Sequence, residues 1–311
     1  MLSTLLVVLP IFALIFAGWA AAKTRILGGQ ASTELNRFVV YLALPALLFD
    51  ITATTNLHEI WQPAFIGAFC LASFIIFGLA FLSPSNKGQD LTTKAIDGLN
   101  ASYPNTAYMG FPLSMLAFGS ASMPLVAMAT IITVCVIFAV AITLIELSRQ
   151  KASHKAKLIF KTIISLARNP LLFSPALGIA YSLSGLPLPE SAHTFLKLLG
   201  GAASPCALVA LGLFLAASKP LTRSNISSIS YLVSLKLVAQ PVLTYIAAVY
   251  IFQLPPLLTH TAVLITALPT GTGSFMLAEY YRTDATITSN TILVSTMISV
   301  LTVSAYLSLI A

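Results

Sequence analysis

The chain has 311 residues, of which 58% are hydrophobic and only 8% charged, with sixteen bases against nine acids. Soluble domains carry roughly 25% charged residues, so nine acids and sixteen bases cannot cover a water-facing surface of this length. Lipid must solvate most of the chain. The net charge of +7 therefore asks where the bases sit and does not point to a nucleic-acid partner.

The first apolar run, Leu2 to Ala22, contains no Lys or Arg, and Lys23 and Arg25 follow it. A signal peptide has its bases before the apolar run. The reversed order predicts an uncleaved first membrane helix with its N-terminus outside. A helix crosses the ~30 Å hydrocarbon core in roughly 20 residues. That ruler predicts spans over 3–22, 33–52, 62–83, 96–118 and 122–147, then a basic stretch from Arg149 to Arg168. Further spans follow over 170–186, 191–217, 226–252, 257–280 and 286–310. The expected fold class is all-α and polytopic, with ten transmembrane helices.

The bases test this count, because cytoplasmic loops are enriched in Lys and Arg. With both termini outside, fourteen of the sixteen bases fall on inner loops or inner helix ends. The other two, Lys197 and Lys236, lie within spans, while the outer segments carry Asp50, Glu59 and Glu190. The expected topology thus puts the basic linker in the cytoplasm against anionic lipid headgroups. Cys70, Cys135 and Cys206 lie in apolar runs and read as core residues. His58, His154, His193 and His260 are too scattered for a metal site. No cofactor is expected.

The linker at 149–168 separates residues 1–148 from 169–311, with five spans each. An odd count inverts the second half relative to the first, a recurring transporter plan. Pro10 and Pro175 are 165 residues apart, as are Pro104 and Pro269; Pro45 and Pro205 differ by 160. Spans 4 and 9 carry the strongest signal. Span 4 reads Asn100-Ala-Ser-Tyr-Pro104-Asn105-Thr106 and continues to Gly110-Phe-Pro112, and span 9 reads Ala267-Leu-Pro269-Thr270-Gly271-Thr272-Gly273-Ser274. Proline removes a backbone donor, and a broken helix survives in hydrocarbon only against protein or a wet cavity. The second half-helices are expected to start near mid-membrane at Asn105 and Thr270. Helix N-termini present unpaired N–H groups and positive dipole ends. Two of them converging predict a site for a carboxylate, with Asn105, Thr106, Thr270 and Thr272 adding side-chain hydrogen bonds.

These motifs resemble the auxin efflux carrier family, which includes plant auxin exporters and bacterial malonate and malate permeases. The likeness is carried by Tyr103-Pro104-Asn105-Thr106 to Gly110-Phe111-Pro112, and by Asn169-Pro170 through Gly178 into Gly185-Leu186-Pro187-Leu188-Pro189. It continues in Ala203-Ser204-Pro205-Cys206 through Gly212 and in Ala267-Leu268-Pro269 through Ala278-Glu279-Tyr280. The resemblance implies a bile-acid-symporter-like superfold with a scaffold and a transport domain. It also implies a bacterial member placed in the inner membrane, a crossover at Pro104, Asn105 and Pro269, elevator movement and a homodimer through the scaffold. The large hydrophilic central loop of long plant members is absent, and only the basic linker holds its place.

Ionisable residues inside spans are costly and default to functional candidates. Lys236 sits about nine residues into span 8 and reads either as a substrate or coupling charge or as a structural ammonium. Lys197 is placed to snorkel. Glu279, with Arg282 and Asp284 beyond it, reads as an interfacial ion pair or a coupling acid, and Asn100 is the other coupling candidate. A sodium-coupled symporter of the bile-acid type would draw on Asn100, Asn105 and Asn290. Gly271 to Ser274 lacks the flanking glycine and the His partner of a nucleophile motif. A passive channel is the third alternative. The expectation is a permease for a small organic anion, a dicarboxylate or an aromatic carboxylate, with direction and coupling ion open.

Overall fold

The computed structural model describes residues 2–54, 61–83, 88–149, 170–217 and 225–310. The basic linker beyond Arg149, together with His58, Glu59, Lys87, Lys219 and Arg223, lies outside the described residues, as does the side chain of Glu279. The described residues form helices and no β-strand, apart from one isolated antiparallel bridge.

In chain order the helices are α1 (Leu2–Lys23), α2 (Ala31–Thr54) and α3 (Pro63–Phe81). The broken α4 follows as α4a (Leu91–Ser102) and α4b (Thr106–Phe118), then α5 (Ser120–Glu146). Next come α6 (Pro170–Leu183), α7 (Glu190–Ala217) and α8 (Ile226–Ile251). The chain closes with the broken α9, as α9a (Pro256–Thr266) and α9b (Gly273–Tyr280), and with α10 (Thr286–Ile310). Six of these, α2, α3, α5, α7, α8 and α10, are long and apolar enough to cross a bilayer. Four shorter apolar helices accompany them. The chain is a polytopic membrane protein.

Local chemistry sets the helix ends. Asp90 caps α4a by accepting the Thr93 N–H at 2.9 Å, and Asp284 does the same for Thr286 at the start of α10 at 3.0 Å. Such caps satisfy donors that the first turn leaves unpaired. Gly119, at φ 75°, stops α4b in a conformation that favours glycine. Hydroxyls within the spans turn back on their own helices. Thr130 donates to Val126 O, Thr133 to Ala129 O and Thr244 to Gln240 O. Polar side chains are thereby satisfied without water.

Most of the packing falls within two groups, which meet along α1 and α10. In one, α1 lies along α7, and α2 lies against α6 and α7. In the other, α4a packs on α3 and α5, while α8 packs on α3, α9a and α10. The α1–α7 seam is made by glycine. A Cβ on Gly18 would sit 2.2 Å from Val209 O, and one on Gly212 would sit 2.0 Å from Ile15 O. Close backbone approach through small residues is how helices pack where lipid offers no hydrophobic drive. Gly212→Ala should therefore cost about 1–3 kcal/mol, the usual penalty for overpacking, read as a lower melting temperature in detergent. Gly201→Ala, where an added Cβ meets nothing within 4 Å, should melt like the parent. Equal melting of the two variants would exclude a tight seam.

Candidate functional site

The two broken helices meet. Pro104 and Thr270 form an antiparallel bridge, in which the Asn105 N–H donates to Pro269 O and the Gly271 N–H donates to Tyr103 O, both at 2.9 Å. α4b starts at Thr106, beside the expected Asn105. α9b starts at Gly273, three residues beyond the expected Thr270, because Thr270 and Gly271 are extended to pair with the other break. The amides of Asn105 and Gly271 are thus spent on the crossing itself. Those of the first turn of α9b have no acceptor within their own helix.

Each break frees carbonyls, and their partners explain several otherwise odd residues. Pro104 has no N–H to offer Asn100 O, four residues back; the Thr270 hydroxyl donates to that oxygen instead, at 2.6 Å. The Thr270 N–H goes to Ser295 Oγ at 3.2 Å, which leaves Thr266 O without its helical donor. Lys236 Nζ fills that place at 2.6 Å. On the other helix the Thr106 N–H turns to Pro104 O, freeing Ser102 O, to which Gln240 Nε2 donates at 2.9 Å. Gln240 Nε2 also reaches Ser73 Oγ at 3.2 Å, and Gln240 Oε1 accepts from Lys236 Nζ at 2.6 Å.

One pair of side chains on α8 therefore caps the C-terminal ends of both first half-helices. Lys236 and Gln240 are fully buried and lie four residues apart, on one helix face. Lys236 sits in a π-type turn, Leu235–Ala239, ahead of Pro241, a distortion common at functional positions. A donor at a helix C-terminus faces the negative end of the dipole.

A cavity of about 140 Å³ adjoins the crossing, lined by Pro104, Asn105, Thr106, Thr272 and Gly273 among others. Lys236 and Gln240 are not among its lining residues; they cap the freed carbonyls of the two first half-helices. Asn105 is 3% exposed, and its Nδ2 has no hydrogen-bond partner. A buried donor left unpaired is expensive and marks where a ligand oxygen fits. Tyr108, Thr272 and Met276 also line a second cavity of about 420 Å³. That one shares Ser32, Thr33, Phe214 and Phe275 with a third of about 900 Å³, which carries Lys23 and Arg25. The three follow one another from the crossing to the basic end of α1.

Of the residues singled out in the sequence, Pro104, Asn105, Thr106, Pro269, Thr270, Gly271 and Thr272 gather at the crossing. Asn100 is buried beside it. Its Nδ2 donates to Thr288 Oγ1 at 3.0 Å, and its Oδ1 has no partner. Asn290 Nδ2 donates to Thr286 O at 2.9 Å. The Ser274 hydroxyl donates to Gly271 O at 3.1 Å. Lys197 is exposed. Three residues of the site were not foreseen: Gln240, Asn36 and Tyr108. Gln240 had a signal in its spacing from Lys236, whereas Asn36 and Tyr108 are 72 positions apart and had none.

The described residues are helical, with two interrupted helices joined at their breaks, an arrangement recurrent among membrane transporters, and comparison with known proteins gives the family. The sequence profile of the family described as "Membrane transport protein" matches residues 4–307. A Rhizobium meliloti (strain 1021) protein named "Putative malonate transporter" is 33% identical over 304 residues, 97% of this chain and 94% of that one. Auxin efflux carrier component 8 of Arabidopsis thaliana is 22% identical over 348 residues, covering 96% and 94%. An uncharacterized transporter of Methanothermobacter thermautotrophicus is 25% identical over 293 residues, covering 94% and 93%. The chain belongs to the auxin efflux carrier family of membrane transporters.

Proposed function

We propose that this chain is a plasma-membrane permease for a short-chain carboxylate of the malonate type. The observation that carries the reading is the unpartnered, buried Asn105 amide beside a small cavity at the crossing of α4 and α9. Neutral donors and helix N-termini suit an anion without the desolvation cost of a fixed charge pair. Malonate enters from the printed name of the Rhizobium relative. The volume agrees: at about 30 Å³ per water the cavity holds roughly five waters, room for a three- or four-carbon diacid.

The reading includes ten spans in two inverted halves, 1–148 and 169–311, with both termini outside. It rests on breaks set 165 residues apart in the sequence and on the chain of bases along the predicted inner loops. Under this orientation the three linked cavities open toward the cytoplasm, where Lys23 and Arg25 would gather anions. Alternating access follows if the group holding α3, α4a, α5, α8, α9a and α10 moves as a unit against α1, α2, α6 and α7, carrying the crossing with it in an elevator motion.

The test is uptake of labelled malonate by proteoliposomes of the purified protein, with and without sodium and at two pH values. Saturable uptake with counterflow is expected. Asn105→Ala removes one hydrogen bond to a charged oxygen, worth about 1.5–3 kcal/mol, so malonate affinity measured by thermal shift should fall about tenfold or more. Parent protein that neither binds nor moves small carboxylates, or unaltered affinity in the variant, overturns the assignment.

A further inference from the structure

The wall between the crossing cavity and the next one is formed by Tyr108, Thr272 and Met276, the residues common to both linings. Two of these three are tied to one side chain of α2. The Tyr108 hydroxyl donates to Asn36 Oδ1, and Asn36 Nδ2 faces Met276 Sδ at 3.6 Å. Asn36 lies on α2, Tyr108 on α4b and Met276 on α9b. A single amide on α2 thus contacts both second half-helices, α4b through Tyr108 and α9b through Met276. Tyr108 is only 5% exposed. A phenol that merely filled space there would be replaceable by Phe, and its hydroxyl in apolar surroundings needs a partner. Here the hydroxyl is shared between Asn36 of α2 and Thr272 at the break of α9.

We infer that Tyr108, held in place by Asn36, is the lid of the crossing cavity and sets the length of the acid it accepts. The inference rests on the proposed carboxylate site and adds its size limit. With the ring in place the site ends about one short diacid beyond Asn105. With the ring gone, the crossing cavity and the 420 Å³ cavity become one, and longer or aromatic acids gain room. The Asn36 bond joins α2 to the crossing that must move past it, so the lid is also a contact to be broken during each transport cycle.

The experiment is competition against labelled malonate in proteoliposomes by malonate, succinate, glutarate and indole-3-acetate. Discrimination of one methylene in a pocket is worth about tenfold or more. The parent should rank the acids by length, malonate first and indole-3-acetate last. Tyr108→Val should improve glutarate and indole-3-acetate relative to malonate by about tenfold. Tyr108→Phe, which keeps the ring but loses the bond to Asn36, should shift the ranking in the same direction as Tyr108→Val, by less, and change maximal velocity. Asn36→Ala should shift the ranking in the same direction as Tyr108→Val, by less. A parent that binds malonate while Tyr108→Val and Asn36→Ala both keep its ranking overturns the lid and leaves the carboxylate site standing. A parent blind to every acid in the series overturns the carboxylate reading and the lid with it. Thermal melting of each variant shows that the protein compared is folded.

Discussion

Gln240→Leu is expected to lower the unfolding free energy by about 3 kcal/mol or more, although the swap nearly conserves volume. Volume-conserving replacements in a core usually cost under about 1.5 kcal/mol, so the excess measures hydrogen bonds. Leucine leaves Ser102 O without its donor, deprives Lys236 Nζ of one of its two acceptors and strands Ser73 Oγ. Each buried group left unpaired costs about 1–3 kcal/mol, and these side chains are fully buried away from bulk water. The Nζ makes both bonds whether it carries two protons or three, so the expectation does not depend on its charge. Gln240→Glu keeps the acceptor for Lys236 but loses the donor to Ser102 O, and should fall between the parent and the leucine variant. The measurement is thermal or denaturant unfolding in one detergent. A leucine variant as stable as the parent would mean that the half-helix ends find other partners, and the cap would be incidental.

The hydrophobic runs were legible because lipid forces backbone bonding within each segment, and that constraint writes long apolar stretches directly into the chain. The breaks were legible for a related reason: Pro104 and Pro269 remove donors that hydrocarbon cannot replace. The register after each break was legible only in part. Thr270 and Gly271 look like the start of a half-helix until the opposite segment appears as a bonding partner, and that partner is about 165 positions away. Lys236 stood out as an anomalous charge, but nothing in the neighbouring sequence says that its acceptor is the carbonyl of Thr266, 30 residues on. Its partner Gln240 sits one turn along the same face, and a polar pair at that spacing in an apolar run is a signal worth reading. Asn36 and Tyr108 belong to helices whose sequences give no reason to join them. Such contacts follow from how two bundles are laid together, which local periodicity does not encode.

Gly271→Val is expected to cut malonate uptake by about a hundredfold, the largest loss foreseen for a residue with no side chain of its own. A Cβ at this position would lie 2.7 Å from Tyr103 Cε1, 2.8 Å from Cδ1 and 3.2 Å from Pro104 O. The Tyr103 ring has little room to withdraw, since it packs against Phe138 with centroids 5.8 Å apart. The two segments must then separate, and the pair of backbone bonds that joins them, Asn105 N–H to Pro269 O and Gly271 N–H to Tyr103 O, is lost. At about 1–1.5 kcal/mol for each bond, the bridge is worth roughly two powers of ten in the population of the closed crossing. Asn105 and Thr272 would drift apart with it, so affinity and velocity should fall together. Gly271→Ala carries the same first carbon without the branches and should lose less. Melting should drop only modestly in both, because the caps on the other side of the crossing, from Lys236 and Gln240, remain. Uptake at the parental rate from Gly271→Val would show that the two breaks need not touch for transport. The anion would then have to be held somewhere other than the point where α4 and α9 meet.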